Sequence, residues 1–385
     1  MRKIGLYVER QRAWGRRLCE GVAAFAQQRR DWSLVMLERE DLSARAQLGK
    51  FDGFIARIPD ARTAAALRRT GRPVVDLSIE PGLSDGFLRG VEQDNRAVGR
   101  LAAQHFADRR FVNFAFCGFD GRRFSDERRE AFSDALRERG FTCHCYASPR
   151  SAVRAFDRSI TGGERLVPGA DRMQLVTWLK RLPKPVAILC ANDLRGYQVM
   201  QACGTAGLAV PQTVALLGVD NDTLICNFMT PTLSSIDPDA FALGYAAADM
   251  LQRALDAPKA NVKPQRVGPR ELVVRASSET FPVNPKWLAD ALVFIGTHLD
   301  RHLTASDVLR RVGLSHTRVN KIFRSVLGMT VQQVIRKTAL EESRRLLRTT
   351  PLPISEISAR CGFATPQYFC NVFTKTFGHA PSAER

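Results

Sequence analysis

The first 275 residues alternate short apolar runs with amphipathic segments. The runs are five or six residues long and rich in Val, Ile, Phe and Leu, which predicts strands at residues 4–8, 33–37, 53–58, 73–77, 112–117, 142–147, 186–191 and 214–219. Apolar residues recur at helical spacing in residues 15–29, 61–70, 95–108, 126–139, 171–182 and 194–206. Strands alternating with helices of this length predict βαβ units, and therefore an α/β region with parallel sheets covered by helices on both faces.

Beyond residue 286 every periodic segment is helical. Residues 287–299 place apolar side chains on one helical face. A short helix over 304–312 ends at Gly313 and is followed by another over 317–326. The same pattern returns at 353–361 and 366–376, with Gly362 at the junction, and a long helix over 331–349 joins the copies. This internal repeat predicts an all-α domain with two helix-turn-helix motifs.

The two copies of the repeat share their apolar positions. A β-branched residue stands five positions before each glycine (Val308 and Ile357), and Phe-x4-Gly ends each unit. Glycine supplies the positive φ of a turn between two short helices. Spacing assigns six residues to the core, Val319, Ile322, Phe323, Phe369, Val372 and Phe373. Two such units about one duplex turn apart can enter successive major grooves on one face of DNA.

The length of 385 residues suits two or three domains. We expect a ligand-binding domain over 1–275, a Ser- and Pro-containing linker over 276–286 and a helical domain over 287–385. The longest apolar runs are too short to cross a bilayer. Glu9 and Arg10 interrupt the apolar run that follows the N-terminal basic residues, so a secretory signal is not expected and the chain should stay in the cytoplasm.

Positive charge is concentrated in the C-terminal quarter. The chain has 57 Lys and Arg against 39 Asp and Glu, a net charge of +18. Residues 284–385 hold 15 of the basic and 7 of the acidic residues, net +8, and the other 283 residues hold 42 and 32, net +10. A positive excess attracts phosphate, although a solvated basic surface explains it equally well.

The nine cysteines are odd in number and scattered, which is typical of reduced, buried thiols. Cys143 and Cys145 flank His144 on an alternating stretch, where the thiols point to one face and the imidazole to the other. With the thiols and the imidazole on opposite faces, the three side chains cannot readily coordinate one metal ion. We therefore expect no metal and no catalytic centre, since nucleophile-elbow, glycine-rich phosphate-loop and zinc-type His motifs are also absent from the sequence.

Polar side chains cluster where the predicted strands end. They are Glu9, Arg10, Arg12 and Trp14 after the first strand, Asp94 and Asn95, residues 124–128, Asn192 and Asp193, and residues 220–222. Carboxylates, amides, arginines and an aromatic ring at the carboxyl ends of parallel strands suit a polyhydroxylated ligand. Asp94, Asn192 and Asp220 could equally be helix N-caps, and position alone leaves both roles open.

The order of these motifs resembles the effector domain of lac-repressor-type regulators. The motifs are residues 94–99, Arg128 before Phe132, residues 191–193, residues 218–221 and residues 231–236. The resemblance implies two α/β lobes like those of periplasmic sugar-binding proteins, with the chain crossing near 108–111, 236–239 and 265–270 and the effector between the lobes. It implies effector contacts from Arg128, Asn192 and Asp220, to which Asp94, Asn221 and Trp14 are added as candidates. Unlike that family, this chain starts its first strand at Ile4, so any DNA-binding module lies elsewhere.

The C-terminal repeat resembles the arabinose-regulator (AraC-type) DNA-binding domain. The matching positions are residues 354–363, 367–369, 372–378 and Pro381. The resemblance implies reading helices that begin near His316 and Thr365. Base contacts are then expected from Thr317, Asn320, Lys321, Gln367 and Asn371, with His316 beside them, and phosphate contacts from Arg324 and Lys375. Asn371 departs from the basic residue usual at its position, and all of these side chains could instead form a solvated polar face.

Both domain types in this order resemble the xylose-responsive regulators of enteric bacteria, also through residues 12–16 and 125–128. This implies a sequence-specific transcriptional regulator, an activator by analogy, whose effector is a sugar, D-xylose or a related pentose. Its expected partners are double-stranded DNA with tandem half-sites, a second copy of the chain and RNA polymerase, with no membrane. Trp14 suits the pocket or the core equally. The alternatives are a sugar-acting α/β enzyme and a non-exported sugar-binding protein.

Overall fold

A computed structural model describes residues 1–43, 45–77, 83, 86–87, 91–161, 171–257, 265–280 and 286–385. The chain divides into two compact units, Met1–Ser278 and Glu279–Arg385. The strands are β1 (Arg2–Tyr7), β2 (Trp32–Met36), β3 (Gly53–Ala56), β4 (Val74–Asp76), β5 (Val91–Gln93), β6 (Phe114–Cys117), β7 (Cys143–Cys145), β8 (Val186–Cys190), β9 (Val214–Val219), β10 (Ser234–Asp237), β11 (Gln265–Val267) and β12 (Glu271–Val273).

The helices of the first unit are α1 (Ala13–Arg29), α2 (Arg45–Leu48), α3 (Ala61–Arg68), α4 (Asn95–Asp108), α5 (Arg123–Arg137), α6 (Arg150–Thr161), α7 (Arg172–Arg181), α8 (Asp193–Ala206), α9 (Thr223–Phe228) and α10 (Ala240–Asp256). Those of the second unit are α11 (Lys286–Thr297), α12 (Ala305–Val312), α13 (His316–Leu327), α14 (Val331–Thr349), α15 (Ile354–Arg360) and α16 (Pro366–Phe377).

The first lobe of unit 1 is built on a parallel four-stranded sheet in the order β2-β1-β3-β4. All four residues of β3 are buried, because its side chains alternate between two cores. Ile55 joins the cluster formed with α1 and α10, whereas Phe54 and Ala56 join the cluster on the opposite face. This is the two-sided burial expected of a parallel sheet.

The second lobe contains a six-stranded sheet in the order β12-β10-β9-β8-β6-β7, in which only β12 runs antiparallel. Its central strands β8 and β9 are buried at every residue. Along β8, Ile188 and Cys190 face one cluster while Ala187 and Leu189 face the other. The α/β architecture predicted from the sequence is therefore present in both lobes.

Three segments carry the chain between the lobes. The first lies at Asp94, between β5, which belongs to the first lobe's core, and α4, which packs on α5 in the second. The second lies between β10 and α10, and the third between β11 and β12. The predicted crossing near 108–111 is wrong, because α4 packs in the second lobe and the chain has already crossed before it. The crossings predicted near 236–239 and 265–270 agree with the second and third segments of the structure.

Unit 2 is entirely helical in its described residues, and one core joins both halves of the repeat. Val308 and Ile357, the matched β-branched positions, are fully buried, as are Val319, Phe323, Phe369 and Phe373. Ile322 and Val372 pack at the edge of this core. The glycines between the paired helices, Gly313 and Gly362, have φ of +69° and +74°, the conformation predicted for the turns.

Several elements were not predicted, and the longest is α10. Its sequence is apolar at most positions, its polar residues Asp249, Gln252, Arg253 and Asp256 recur at helical spacing, and ten of its residues are buried. The boundary between the units lies after Ser278, whose hydroxyl donates to Ser234 in the second lobe. The linker predicted at 276–286 starts two residues before Ser278. Its residues 281–285 lie outside the described ranges.

Candidate binding cleft and nucleic-acid interface

A cavity of about 430 Å³ lies between the two lobes of unit 1, within the size range of small-molecule sites. It opens at the carboxyl ends of β1, β3, β6, β8 and β9, where ligands of parallel α/β sheets bind. Its lining comprises Glu9, Arg12, Trp14, Arg39, Arg57, Ile58, Pro59, Asp60, Leu77, Glu92, Gln93, Asn95, Arg122, Arg123, Phe124, Glu127, Arg128, Phe156, Asp157, Asn192 and Asp220. The predicted residues Trp14, Arg128, Asn192 and Asp220 are thus brought together.

Asp220 follows β9 and points its carboxyl group into the cavity. Its φ of 108° is rare for a residue with a side chain, and the next residue, Asn221, also has a positive φ of 46°. Burial raises the pKa of Asp220 to about 6, although the cations Arg128, Arg12 and Arg57 oppose that shift. Asp220 is not the cap of α9, since Asp222 performs that function.

Arg128 is a buried cation on the wall formed by α5. Its Nε donates to Oδ1 of Asn95 at 3.0 Å, and its Nη1 donates to the carbonyl of Ala191 at 2.5 Å. The guanidinium also stacks over the Phe124 ring at 5.3 Å. Burial lowers the Arg128 pKa, while Asp220 and Asp193 oppose that shift. These contacts fix the guanidinium in place at the cleft.

Asn192 serves as a helix cap and lines the cleft at the same time. Its Oδ1 accepts a hydrogen bond from the backbone N–H of Arg195 at 2.9 Å, which caps α8. The capping role is therefore present, and the same residue also lines the cavity, so its contact with an effector stays a prediction.

Trp14 contacts both the core of the first lobe and the cavity, the two surroundings expected from the sequence. It lies in the first turn of α1, packs at the edge of the first lobe's core and lines the cavity. The guanidinium of Arg57 lies 5.1 Å from its ring centroid, and Arg57 donates to the buried carboxylate of Glu9. This stack presents an aromatic surface within a charged wall.

Two predicted effector residues lie outside the cavity lining. Asp94 caps α4, accepting from the N–H of Ala97 at 2.8 Å. The Oδ1 atom of Asn221 accepts from Arg275 at 2.8 Å, and its N–H donates to Ser235. Asn95 lines the cavity in place of Asp94, because the helix begins there and its amide faces Arg128 and Glu127.

Gln93 was missed by sequence analysis and connects the three crossing segments. Its Nε2 donates to the carbonyl of Pro238 and to the carbonyl of Val267, the latter at 2.9 Å. The N–H of Asp94 donates to the same Val267 carbonyl at 2.8 Å. Gln93 also lines the cavity, so a ligand there would lie beside the hinge.

A hydrogen bond crosses the cleft at the start of α1. Arg12, the N-cap residue, makes no side-chain cap bond of its own. Instead Asp222 of the second lobe accepts from the N–H of Ala13 at 3.0 Å, supplying a carboxylate to the helix N-terminus. The Arg12 guanidinium stacks on Phe156 of the second lobe, 5.2 Å from its ring centroid. The start of α1 is therefore bound to the opposite lobe.

The charges that line the described part of the cavity balance. Six arginines (12, 39, 57, 122, 123, 128) face six carboxylates (9, 60, 92, 127, 157, 220). Arg122 pairs with Asp157, and Arg123 pairs with Glu92 at 3.1 Å and with Glu127 at 2.8 Å. The wall is polar and densely hydrogen-bonded without a large excess of either sign.

In unit 2, α13 presents a polar face with a basic edge. His316, Thr317, Lys321 and Arg324 are exposed, as predicted for residues that meet a partner. Asn320 is only half-exposed, and its Oδ1 accepts from the N–H of Val331 at 3.2 Å. Its Nδ2 lies 3.1 Å from Nε2 of His316. Asn320 thus fastens α13 to the start of α14, a role that the sequence did not indicate.

Helix α16, the second helix expected to read DNA, is capped by the hydroxyl of Thr365, which accepts from the N–H of Tyr368. Gln367, Asn371 and Lys375 are all exposed and stand four residues apart, so they line one side of the helix. Phe369 and Phe373 hold its opposite side in the core. The predicted DNA-facing residues of α16 therefore form one continuous surface.

Within the described ranges, no cluster of three or more His, Cys, Asp or Glu is placed to hold a metal ion. The same part of the chain has no helix with the length and apolar character needed to span a bilayer.

Two family models match separate parts of the chain. A periplasmic binding protein-like domain matches residues 103–278, and a helix-turn-helix domain matches residues 308–385. The xylose operon regulatory protein of Escherichia coli K12 is 28% identical over 392 residues, covering 100% of this chain and 96% of that protein. The solved structure of the xylose-binding transcription activator xylR is 26% identical, with a TM-score of 0.61, over 99% of this chain and 97% of that one.

Along its full length this chain is similar to the xylose operon regulatory proteins, with a periplasmic binding protein-like domain followed by a helix-turn-helix domain. Its C-terminal part is separately 35% identical, over 97 residues, to the arabinose operon regulatory protein of Salmonella typhimurium, which agrees with the predicted AraC type. The full-length relatives are regulatory proteins and not enzymes, in agreement with the expectation that the chain is not an enzyme. The order of domains predicted from the sequence is confirmed.

Proposed function

We propose that this transcription factor is controlled by a pentose, most specifically D-xylose, bound between the lobes of unit 1. The single observation that carries this proposal is the interlobe cavity, where Asp220, Asn192 and Arg128 converge beside the Trp14 ring. Carboxylate, amide and guanidinium groups together can address vicinal hydroxyls from several directions. The full-length likeness to xylose operon regulators supports the choice of sugar.

The charge balance of the lining favours a neutral sugar over a phosphorylated one. Sites for phosphate present an excess of arginine or of backbone N–H groups to the anion. Here the arginines of the described lining are matched by carboxylates, and Asp220 would repel a phosphate placed beside it. A free pentose needs hydrogen bonds and an apolar contact but no net positive charge.

The proposed DNA-binding surface comprises α13 and α16. We assign base contacts to Thr317, Lys321, Gln367 and Asn371, with His316 at the start of α13, and phosphate contacts to Arg324 and Lys375. Sugar binding shifts the population toward the closed lobes, and that shift is transmitted to DNA binding. In this proposal the regulator is an activator that acts in the cytoplasm as a homodimer on tandem half-sites, in contact with RNA polymerase.

A thermal-shift panel of free pentoses, hexoses and pentose phosphates tests the effector. We expect D-xylose to raise the melting temperature of the full chain most, and D-xylose 5-phosphate to have no effect. Arg128→Ala and Asp220→Ala should each remove the shift while the protein without sugar still melts cooperatively. A shift from xylose that survives in both variants would place the effector elsewhere.

A further inference from the structure

Strand β7 carries two thiols on one face at the edge of the six-stranded sheet. Cys143 is half-buried and Cys145 is exposed, and their sulfur atoms lie 3.9 Å apart. All nine cysteines fall within the described residues, and Cys145 is the only exposed one among them. Neither thiol belongs to the cleft or to the helices assigned to DNA.

The surroundings of the pair favour a thiolate on Cys145. The hydrogen bond between the two sulfur atoms is the largest cause that lowers the pKa of Cys145, to about 7; Ser133 and Arg129 act in the same direction, and burial opposes them. The same bond, together with burial, raises the pKa of Cys143. The pair therefore favours a thiolate on Cys145 over one on Cys143.

We propose that Cys145 and Cys143 form an oxidant-sensitive pair, which a hydroperoxide converts into a disulfide within β7. The Cys145 thiolate attacks one peroxide oxygen, the O–O bond breaks, and Cys145 becomes a sulfenic acid as the other oxygen leaves as water after protonation. The sulfur of Cys143 then attacks the sulfenic sulfur, forms the S–S bond and expels a second water. The two thiols lose two electrons in total, and hydrogen peroxide gains them.

The geometry of β7 allows this closure with local bending. Residues two apart on a strand have Cα atoms about 6.4 to 6.8 Å apart, the upper end of the range that a disulfide spans. β7 has only three residues and pairs with β6 alone, so it can bend without displacing a second strand. The central strands of the sheet are not required to move.

Oxidation fits the pair better than metal capture does. His144 lies between the two cysteines and is directed to the other face, as strand alternation requires. No described His, Cys, Asp or Glu completes a cluster of three around the thiols. An exposed thiolate with a second thiol within reach is, by contrast, the usual arrangement of a redox-sensitive cysteine.

Peroxide titration of the reduced full-length protein, followed by alkylation and mass spectrometry, tests the proposal. We expect Cys145 to react about tenfold faster than Cys370, a half-exposed thiol in unit 2, and to end in a Cys143–Cys145 disulfide. In Cys143→Ser a sulfenic acid on Cys145 should persist and be trapped by dimedone. In Cys145→Ser, Cys143 should stay reduced.

The matched control is Cys370→Ser, which should leave the rate and product at Cys145 unchanged. Equal rates at Cys145 and Cys370 in the wild-type protein would overturn the proposal, whether or not the variants fold. So would over-oxidation of Cys145 to the sulfinic acid without a disulfide, because Cys143 would then not act as the resolving thiol. Competition by zinc ions at micromolar concentration would instead indicate a metal site.

Discussion

The carboxyl group of Asp220 has a pKa above that of an exposed aspartate. Its pKa is raised to about 6 by burial, against about 4 for an exposed aspartate. Since the raised value favours the protonated form in the folded protein, this group's contribution to the free energy of unfolding increases as pH falls from about 6 to about 4. Binding of a polyhydroxylated ligand through the carboxylate has the opposite pH dependence.

We therefore expect xylose affinity to fall as pH decreases below about 6, by about tenfold per pH unit once Asp220 is mostly protonated. The reason is that a protonated carboxyl loses one acceptor and the charge of the hydrogen bonds it makes. Titration calorimetry at pH 5, 6, 7 and 8 measures this dependence. Asp220→Asn should bind weakly and show no such dependence; a wild-type affinity that is constant over this range would contradict the assignment.

At the residue scale, the sequence identified which strand ends meet at the cavity. It did not identify which of two adjacent polar residues faces the cavity. Arg128, Asn192 and Asp220 were predicted because each follows a strand in a recognisable motif. Asp94 and Asn95 are adjacent, and only the start of α4 decides that Asp94 caps while Asn95 faces the cleft. Phe156 and Asp157 lie on α6, which carries no motif, so nothing in the sequence indicated them.

At the scale of elements, the two helix-turn-helix turns differ in how tightly they are packed. Gly313 and Gly362 have nearly the same positive φ, but an added Cβ meets nothing within 4 Å at Gly313. At Gly362 it would lie 2.2 Å from the carbonyl oxygen of Leu299. The second turn is therefore constrained by its neighbours as well as by its backbone conformation.

This contrast predicts unequal effects of the same substitution. Gly313→Ala should lower the free energy of unfolding by about 1 to 2 kcal/mol, the cost of a left-handed non-glycine residue. Gly362→Ala should cost clearly more, since backbone must also move. Chemical denaturation of the two full-length variants measures the difference, and equal losses would show that the Leu299 contact relaxes freely.

The hydrogen bond from the Ala13 N–H to Asp222, which crosses the cleft, leads to a second prediction at this scale. Asp222→Ala removes the cap of α9 and the partner of the Ala13 N–H, whereas the control Thr304→Ala removes the cap of α12 in unit 2. Each should cost about 1 kcal/mol of stability. Only Asp222→Ala should also weaken xylose binding, by about tenfold, because the closed lobes lose a bond. Equal affinities of the two variants, measured by calorimetry, would refute this role.

Elements were predictable where their periodicity was clear. The predicted strands of both main sheets are present within a few residues, because parallel strands are continuous apolar runs. β5, β11 and β12 are three residues each and partly polar, too short for a pattern to emerge. α10 was missed although its polar residues Asp249, Gln252, Arg253 and Asp256 recur at helical spacing, so its pattern did indicate a helix.

At the scale of the molecule, DNA affinity should depend on salt through a few basic side chains. Lys375 is exposed on α16, whereas Lys337 on α14 pairs with Glu341 at 3.6 Å. Lys375→Gln should weaken binding to all DNA sequences alike and reduce the slope of log affinity against log salt by about 1. Lys337→Gln is the control and should leave the slope unchanged. A loss confined to one operator sequence would reassign Lys375 to base contact.

The cross-cleft bond between Asp222 and Ala13 also limits what kind of molecule can act as an effector. A sugar too large for the cavity, such as a disaccharide of xylose, would hold the lobes apart and leave the Ala13 N–H at the start of α1 without its carboxylate partner. Such a molecule would occupy the cleft yet favour the open form. Under the proposed control by a pentose, the larger sugar would therefore act as an antagonist, and a partly digested xylan chain would reduce the response that its monomer elicits.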